Sequence, residues 1–501
     1  MPNPRDQDAL IDAVLTRLGV LLHSADDRDA RVCELASPAT LERAFTAIGV
    51  PLALHPDEPA HDLASMTQAI DTIIAHSVRT LHPRFFNQNF AGADPVAILG
   101  DWLGAALSTT LATYEAAPVF TLMERALIAH LAALAGWPTH EGLFMAGGSL
   151  ANLHALQLAR VRVDPECLER GPGGPRLTAF TSAHAHYSLT KAVALLGLGR
   201  RSLVVVACDD HGRMRPDALA HELRAALTRG ERPFFLNATA GTTVLGAFDP
   251  LPELADLCAQ YGLWLHIDGT FGASALLSPT QRSRMTGVER ADSLAWNLHK
   301  LPGVTQQCAA LLVRHPGALR ATFATNAEYL FQPDKPHADL DSGDLTFQCA
   351  RRNDVLKAWL MWKFRGAAGL AARIDHAVAL AEHCAARIAA DPRFALAAPP
   401  AWVNVCFWWL PPQLRPQGRQ RPGADATLHA LAPQIKARLL ADGHAMLAYQ
   451  PISGGPNCFR LLFINPAVTP ADIDLVLDAI DRHGRALSGA DAAATDANAC
   501  P

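Results

Sequence analysis

Residues 263–268 read LWLHID and residues 293–300 read SLAWNLHK. Each starts as a short apolar run, and each leads to an ionisable group: Asp268 closes the first and Lys300 follows the second. An unbroken apolar run of this length suits a strand buried on both faces. Four more runs share the pattern: RLTAFTS (176–182), SLVVVAC (202–208), PFFLNAT (233–239) and AALLV (309–313). Among and before them, apolar residues at three- and four-residue spacing predict helices over 118–134, 150–161, 188–196, 216–227 and 251–261. Strands alternating with helices indicate an α/β domain with a mainly parallel sheet flanked by helices. Ligands of such sheets sit at the carboxyl ends of strands, where Asp268 and Lys300 fall.

On either side the pattern changes. Helical spacing covers 9–22 and 63–80, joined by a turn-rich connection at 51–59. Beyond residue 350 come helical stretches at 353–365, 369–390 and 470–483, with strands at WVNVCFWWL (402–410) and NCFRLLFI (457–464). The Pro-, Gln-, Arg- and Gly-rich stretch 411–426 reads as a loop, and 488–501 as a frayed tail. The expected division is a helical segment over 1–110, an α/β domain over 111–365, a small α+β domain over 366–487, and the tail.

The chain has 501 residues, half of them apolar, and a net charge of −5. That is enough apolar material for a large core and excludes general disorder. The slight acidity gives no sign of a nucleic-acid binder. No apolar run is long enough to span a membrane, and the first residues lack a signal-peptide pattern. Ten scattered cysteines without CxxC point to reduced thiols in a cytoplasm rather than a disulfide framework or zinc site.

Four features carry possible chemistry, and each alone has an ordinary structural reading. Gly147-Gly148-Ser149 opens a helix, which suits an anion such as phosphate but also an ordinary capped turn. His186 lies in SAHAHYS between a strand and a helix; it could stack on a flat group or simply belong to a polar loop. Asp268 ends a buried strand and needs a partner, such as a protonated ring nitrogen, unless it merely caps the next turn. Lys300, among Leu298, Leu301 and Pro302, would lose its proton readily if desolvated and could then form an imine, although most lysines reach solvent. Taken together they match the requirements of pyridoxal phosphate: an imine lysine, an acid for the pyridine nitrogen, a phosphate cradle and a group stacked on the ring.

The chain resembles the group II pyridoxal-phosphate decarboxylases, and within them the glutamate, cysteine-sulfinate and aspartate 1-decarboxylases. The resemblance rests on HPRFFNQNFAG (82–92), TYEAAPVFTLME (113–124), NATAGTTVLGAFDPL (237–251), NLHK (297–300), QCAALLVR (307–314), YLFQPDK (329–335), WLMW (359–362), NVCFWWLPP (404–412) and FRLLFINPA (459–467). It implies a type I aminotransferase-like fold with a seven-stranded sheet, and a homodimer with active sites at its interface. It implies Lys300 as the imine lysine, Asp268 on the pyridine nitrogen and His186 on the ring face. Gly148, Ser149, Asn297 and His299 fall near the phosphate, and Thr243 near the cofactor. Gln88, Phe90, Thr110 and Arg460 fall at substrate positions, with Arg460 as the carboxylate clamp.

Three departures stand out. HIDGTFGAS replaces the family's HVDAAWGG, which puts Thr270 where a small apolar residue packs on the ring. NLHK replaces NPHK. The catalytic loop, FQPDKPHADLDSGDL (331–345), lacks the tyrosine that returns a proton to the substrate carbon, and His337 lies nearest its place. The expected reaction is α-decarboxylation of aspartate, cysteine sulfinate or glutamate. The missing tyrosine also suggests an oxidative deaminase that forms aldehyde. A non-catalytic paralogue is the third reading, opposed by the retained Lys300, Asp268 and His186.

Overall fold

The computed structural model describes residues 4–415, 418–452 and 454–489. The chain divides into two compact units. One is formed by 93–382 with 398–405, and the other by the described residues of 1–92, 383–397 and 406–501.

The first unit is built on a seven-stranded sheet. Its strands are β1 (Glu141–Met145), β2 (Leu177–Ser182), β3 (Leu203–Val206), β4 (Arg232–Thr239), β5 (Trp264–Asp268), β6 (Ser293–Asn297) and β7 (Ala309–Val313), in the order β1-β7-β6-β5-β4-β2-β3. The pairs from β3 across to β6 are parallel, whereas β7 runs antiparallel to both β6 and β1. The reversal follows from chain length: only residues 298–308 join β6 to β7, and they hold no crossover helix of the kind a parallel return needs. Strands β2 and β5–β7 are buried throughout, as their unbroken apolar runs require.

Strand β1 is not apparent in the sequence, because Glu141 and Gly142 interrupt the apolar run. Both have structural tasks. The Glu141 carboxylate accepts the N–H groups of Gly317 and Leu319 at 2.8 and 2.6 Å. Gly142 lies so close to the Leu311 carbonyl that a Cβ would overlap it. The helix Gly148–Val163 packs on β4–β7 and buries Asn152 and His154, so it is not amphipathic in the ordinary sense.

A buried ion pair ties the segment after residue 345 to this core. Arg351 meets both oxygens of Glu124, at 2.6 and 3.0 Å, and also donates to the Phe144 and Leu111 carbonyls. Both side chains are almost fully buried. Removing one partner strands the other charge. Glu124→Ala is therefore expected to cost about 3–5 kcal/mol of stability, seen as a lowered unfolding midpoint in denaturant.

The second unit contains a four-stranded sheet, β10-β11-β9-β8, with β8 (Phe394–Leu396), β9 (Asn404–Trp409), β10 (Ala448–Pro451) and β11 (Asn457–Leu462). The helices Ala424–Asp442 and Pro470–Ser488 accompany it. The first of these is hidden in the sequence because Pro433 lies inside it and reads as a breaker. The loop expected over 411–426 is not wholly irregular: it holds two 3₁₀ turns, at Pro412–Leu414 and Gly418–Gln420, and then enters that helix. The two helices expected over 353–365 and 369–390 form one run, Val355–Ala389, broken at Gly366, whose φ of 67° no helix accommodates. The expected tail lies, from residue 490 on, outside the described residues.

Candidate active site

Strands β5 and β6 lie side by side with Asp268 opposite Ala295, so the chain leaves both strands at one edge. Asp268 therefore stands close to Thr270, Asn297 and Lys300. The Asp268 carboxylate is buried; Oδ2 accepts the Asn152 amide N–H at 2.8 Å and Oδ1 accepts the Thr270 backbone N–H at 3.2 Å. Burial alone would raise this carboxyl. The Lys300 ammonium, with Asn152, Thr270 and His186, outweighs it and holds Asp268 below the ordinary carboxylate range. Burial lowers the Lys300 amine, with Asp268 opposing. The result is an ionised acid beside an amine that loses its proton more readily than a surface lysine does.

Thr270 has a task that the sequence does not reveal. Its hydroxyl accepts a hydrogen bond from Lys300 Nζ at 3.0 Å, and its methyl group faces Gly148. A Cβ on Gly148 would overlap that methyl and reach 3.2 Å from the Asn297 amide. The glycine thus keeps the start of the helix against the strand ends. Gly147, at φ 131°, turns the chain into that helix. Ser149 is exposed in the first turn, where helix N–H groups lack intrahelical partners.

His186 is partly buried, and its Nδ1 accepts the Ser188 N–H at 3.3 Å. Burial lowers its pKa while Asp268 opposes, and with Nδ1 accepting, the neutral ring carries its proton on Nε2. Asn297 is buried; its Nδ2 lies 3.3 Å from His299 Nε2, and its Oδ1 has no partner. His299 is pushed down to about 4 by burial. The exposed Thr243 is anchored through its carbonyl, which accepts from Asn404 at 3.1 Å.

The remaining expected residues have partners of their own. The Thr110 hydroxyl is occupied by the Arg351 backbone, accepting its N–H at 3.1 Å and donating to its carbonyl at 3.2 Å. His337 is exposed, with φ 61°, and its ring packs edge-on to Tyr114 at 5.0 Å between centroids. Gln88, Phe90 and Arg460 belong to the other unit. There the buried Arg460, on β11, donates to the Asn87 carbonyl at 3.1 Å, beside Gln88 in the chain. Asn152 and Tyr114 were not singled out as functional by sequence reasoning. Asn152 sits four residues along the helix from Gly148, and only the packing of that helix shows that it meets Asp268.

The donor set fits a flat, anionic, basic-nitrogen cofactor. A buried carboxylate kept ionised calls for a cationic partner beyond Lys300, and Asn297 Oδ1 is an unused acceptor at the same strand ends. Among the described residues no cluster of His, Cys, Asp or Glu is arranged for a metal, and no helix is long and apolar enough to cross a membrane.

The family model described as the pyridoxal-dependent decarboxylase conserved domain matches residues 51–410, and the chain belongs to that family. It is a pyridoxal-phosphate-dependent carboxy-lyase of the type I fold. It is 44% identical to rat cysteine sulfinic acid decarboxylase, over 91% of this chain and 92% of the relative. It is 41% identical to human acidic amino acid decarboxylase GADL1, over 92% and 88%. A crystal structure of mouse CSAD superposes with a TM-score of 0.92 at 40% identity, covering 96% of this chain and 99% of the other.

Proposed function

We propose that the chain removes the α-carboxylate of a small acidic L-amino acid, with aspartate or cysteine sulfinate preferred over glutamate. The observation that carries the reading is the buried, ionised Asp268 beside Lys300, on neighbouring strand ends of a fold shared with decarboxylases. The acidic substrate class is supported by relatives named cysteine sulfinic acid and acidic amino acid decarboxylases.

Bound pyridoxal phosphate supplies an electron sink for the charge left on the α-carbon. Lys300 would hold it, and Asp268 would keep a proton on its ring nitrogen. His186 would cover the ring. Gly148, Ser149, Asn297 and His299 would receive the phosphate, with Thr243 nearby. Arg460 binds a substrate carboxylate in a bidentate manner, with Gln88 and Phe90 shaping the approach. His337 returns a proton to the α-carbon, a task worth typically about 10²–10⁴-fold. The deciding experiment supplies aspartate, cysteine sulfinate and glutamate to the holoenzyme and measures carbon dioxide, amine, aldehyde and peroxide together. Carbon dioxide with equal amine is expected. Equal turnover of glutamate would remove the substrate preference. Aldehyde with peroxide would favour oxidative deamination, the reading suggested by a catalytic loop without tyrosine.

The chain is also proposed to act as a homodimer. The helix Pro95–Leu107 leaves Leu99, Leu103 and Leu107 about half exposed, at four-residue spacing along one face. Such a stripe suits a second copy better than water. Leu103→Glu is expected to shift the protein from dimer to monomer in sedimentation velocity, and an unchanged dimer would exclude this face.

A further inference from the structure

Trp264, His266 and Asp268 are alternate residues of β5 and so point to one side of the strand. Two bridging side chains link them. Trp264 Nε1 lies 2.8 Å from Ser293 Oγ, which lies 2.8 Å from His266 Nδ1. His266 Nε2 lies 3.0 Å from Asn152 Oδ1, and Asn152 Nδ2 lies 2.8 Å from Asp268 Oδ2. All five side chains are buried.

Donor chemistry sets every direction in this chain. An indole N–H only donates, and a carboxylate only accepts. Asn152 must therefore turn its NH₂ to Asp268 and its carbonyl to His266. That carbonyl requires a proton on His266 Nε2. A neutral His266 then has a lone pair on Nδ1, so the Ser293 hydroxyl donates to it while accepting from Trp264. Burial keeps His266 neutral, at about 4. The other charged or titratable groups facing Asp268 are Lys300 and His186.

We propose that His266 is a positioning residue: as the Nε2–H tautomer it fixes the orientation of Asn152 and thereby keeps Asp268 a hydrogen-bonded anion ready for the cofactor's ring nitrogen. With the proton on Nδ1 instead, the bare Nε2 would face the Asn152 carbonyl, lone pair against lone pair, and turning the amide over to relieve that clash would set its carbonyl against the Asp268 carboxylate and take its NH₂ from Ser188 Oγ, 3.0 Å away. The inference rests on the role assigned to Asp268 above, but its tests do not depend on the substrate.

Two measurements test it. In apo-protein carrying ¹⁵N-labelled histidine, the His266 signal, assigned by its loss in His266→Gln, should show a protonated Nε2 and a bare Nδ1 that do not change between pH 6 and 8. A proton on Nδ1, or titration in that range, would overturn the proposal. Should that variant fail to fold, loss of Asn152 coupling in Asn152→Leu assigns the signal. Second, pyridoxal phosphate is titrated spectrophotometrically into His266→Phe, which keeps a ring but has no donor, and into His266→Gln, whose amide can still donate. His266→Phe should bind at least about tenfold more weakly, and His266→Gln should recover most of the loss. A purely structural role predicts equal affinities in both variants, whatever their thermal midpoints, and equality would overturn the proposal. The expected split in binding together with no turnover of any of the three substrates by the parent enzyme would instead count against the proposed function.

Discussion

Lys300→Ala protein is expected to fold, to hold pyridoxal phosphate without a covalent link, and to lose at least about 10⁴-fold in turnover. The size follows from the site. Lys300 Nζ is desolvated, its pKa is lowered by burial, and the Thr270 hydroxyl holds it 3.0 Å away at the end of β6. A surface lysine has none of these advantages. Alanine also removes the cation that holds Asp268 below the ordinary range, so burial would then raise that carboxyl. Lys300→Arg separates the two effects. Arginine keeps a positive charge but does not lose its proton at neutral pH. It should be as inactive as alanine while leaving Asp268 ionised. Steady-state carbon dioxide release, with absorbance of borohydride-treated protein as the check for covalent attachment, measures both. Turnover within tenfold of the parent in either variant would remove Lys300 from the chemistry.

The sequence shows the sheet well because its strands are unbroken apolar runs, and it shows the helices wherever one face is apolar. It fails where side chains serve the structure through polar contacts. Strand β1 is broken by a glycine that a neighbouring carbonyl requires and by a glutamate that caps Gly317 and Leu319. The helix Ala424–Asp442 is obscured by Pro433. At the site, Asp268 and Lys300 are legible because an ionisable group at the end of an apolar run is conspicuous. Asn152 is not, since an asparagine in the second turn of a helix resembles any surface residue until packing places it on Asp268. Thr270 is legible only as a departure from a family pattern. Its use, as the acceptor for Lys300, depends on a rotamer and a distance that no spacing rule contains.

The second large effect concerns acid. His154, His266 and His299 are buried in the first unit and His82 in the second, and burial pushes each down to about 4 from an ordinary 6.5. A group whose folded pKa is depressed contributes stability that is complete above the unfolded value and is lost as pH falls toward the folded one. Near pH 5 each unfolded histidine binds a proton that its folded counterpart refuses. Asp249 works the other way. It is buried and pushed up to about 6, although the Met214 and Thr239 N–H groups at 2.6 and 2.7 Å oppose the rise. Near pH 5 it therefore takes a proton on folding. Four protons favour the unfolded chain and one favours the folded chain, a difference of three. Stability of the apo-protein should then fall by about 3–4 kcal/mol per pH unit between roughly pH 6 and 4.5. Denaturant midpoints of the apo-protein at several pH values measure the slope. Asp249→Asn removes the opposing group and should make the slope steeper by about a third, provided the variant folds at pH 7. A flat profile from pH 7 to 4.5 would mean that these histidines stay accessible to protons in the folded chain. The closed donor order from Trp264 to Asp268 would then not survive either, because it requires His266 to remain neutral while water outside is acidic.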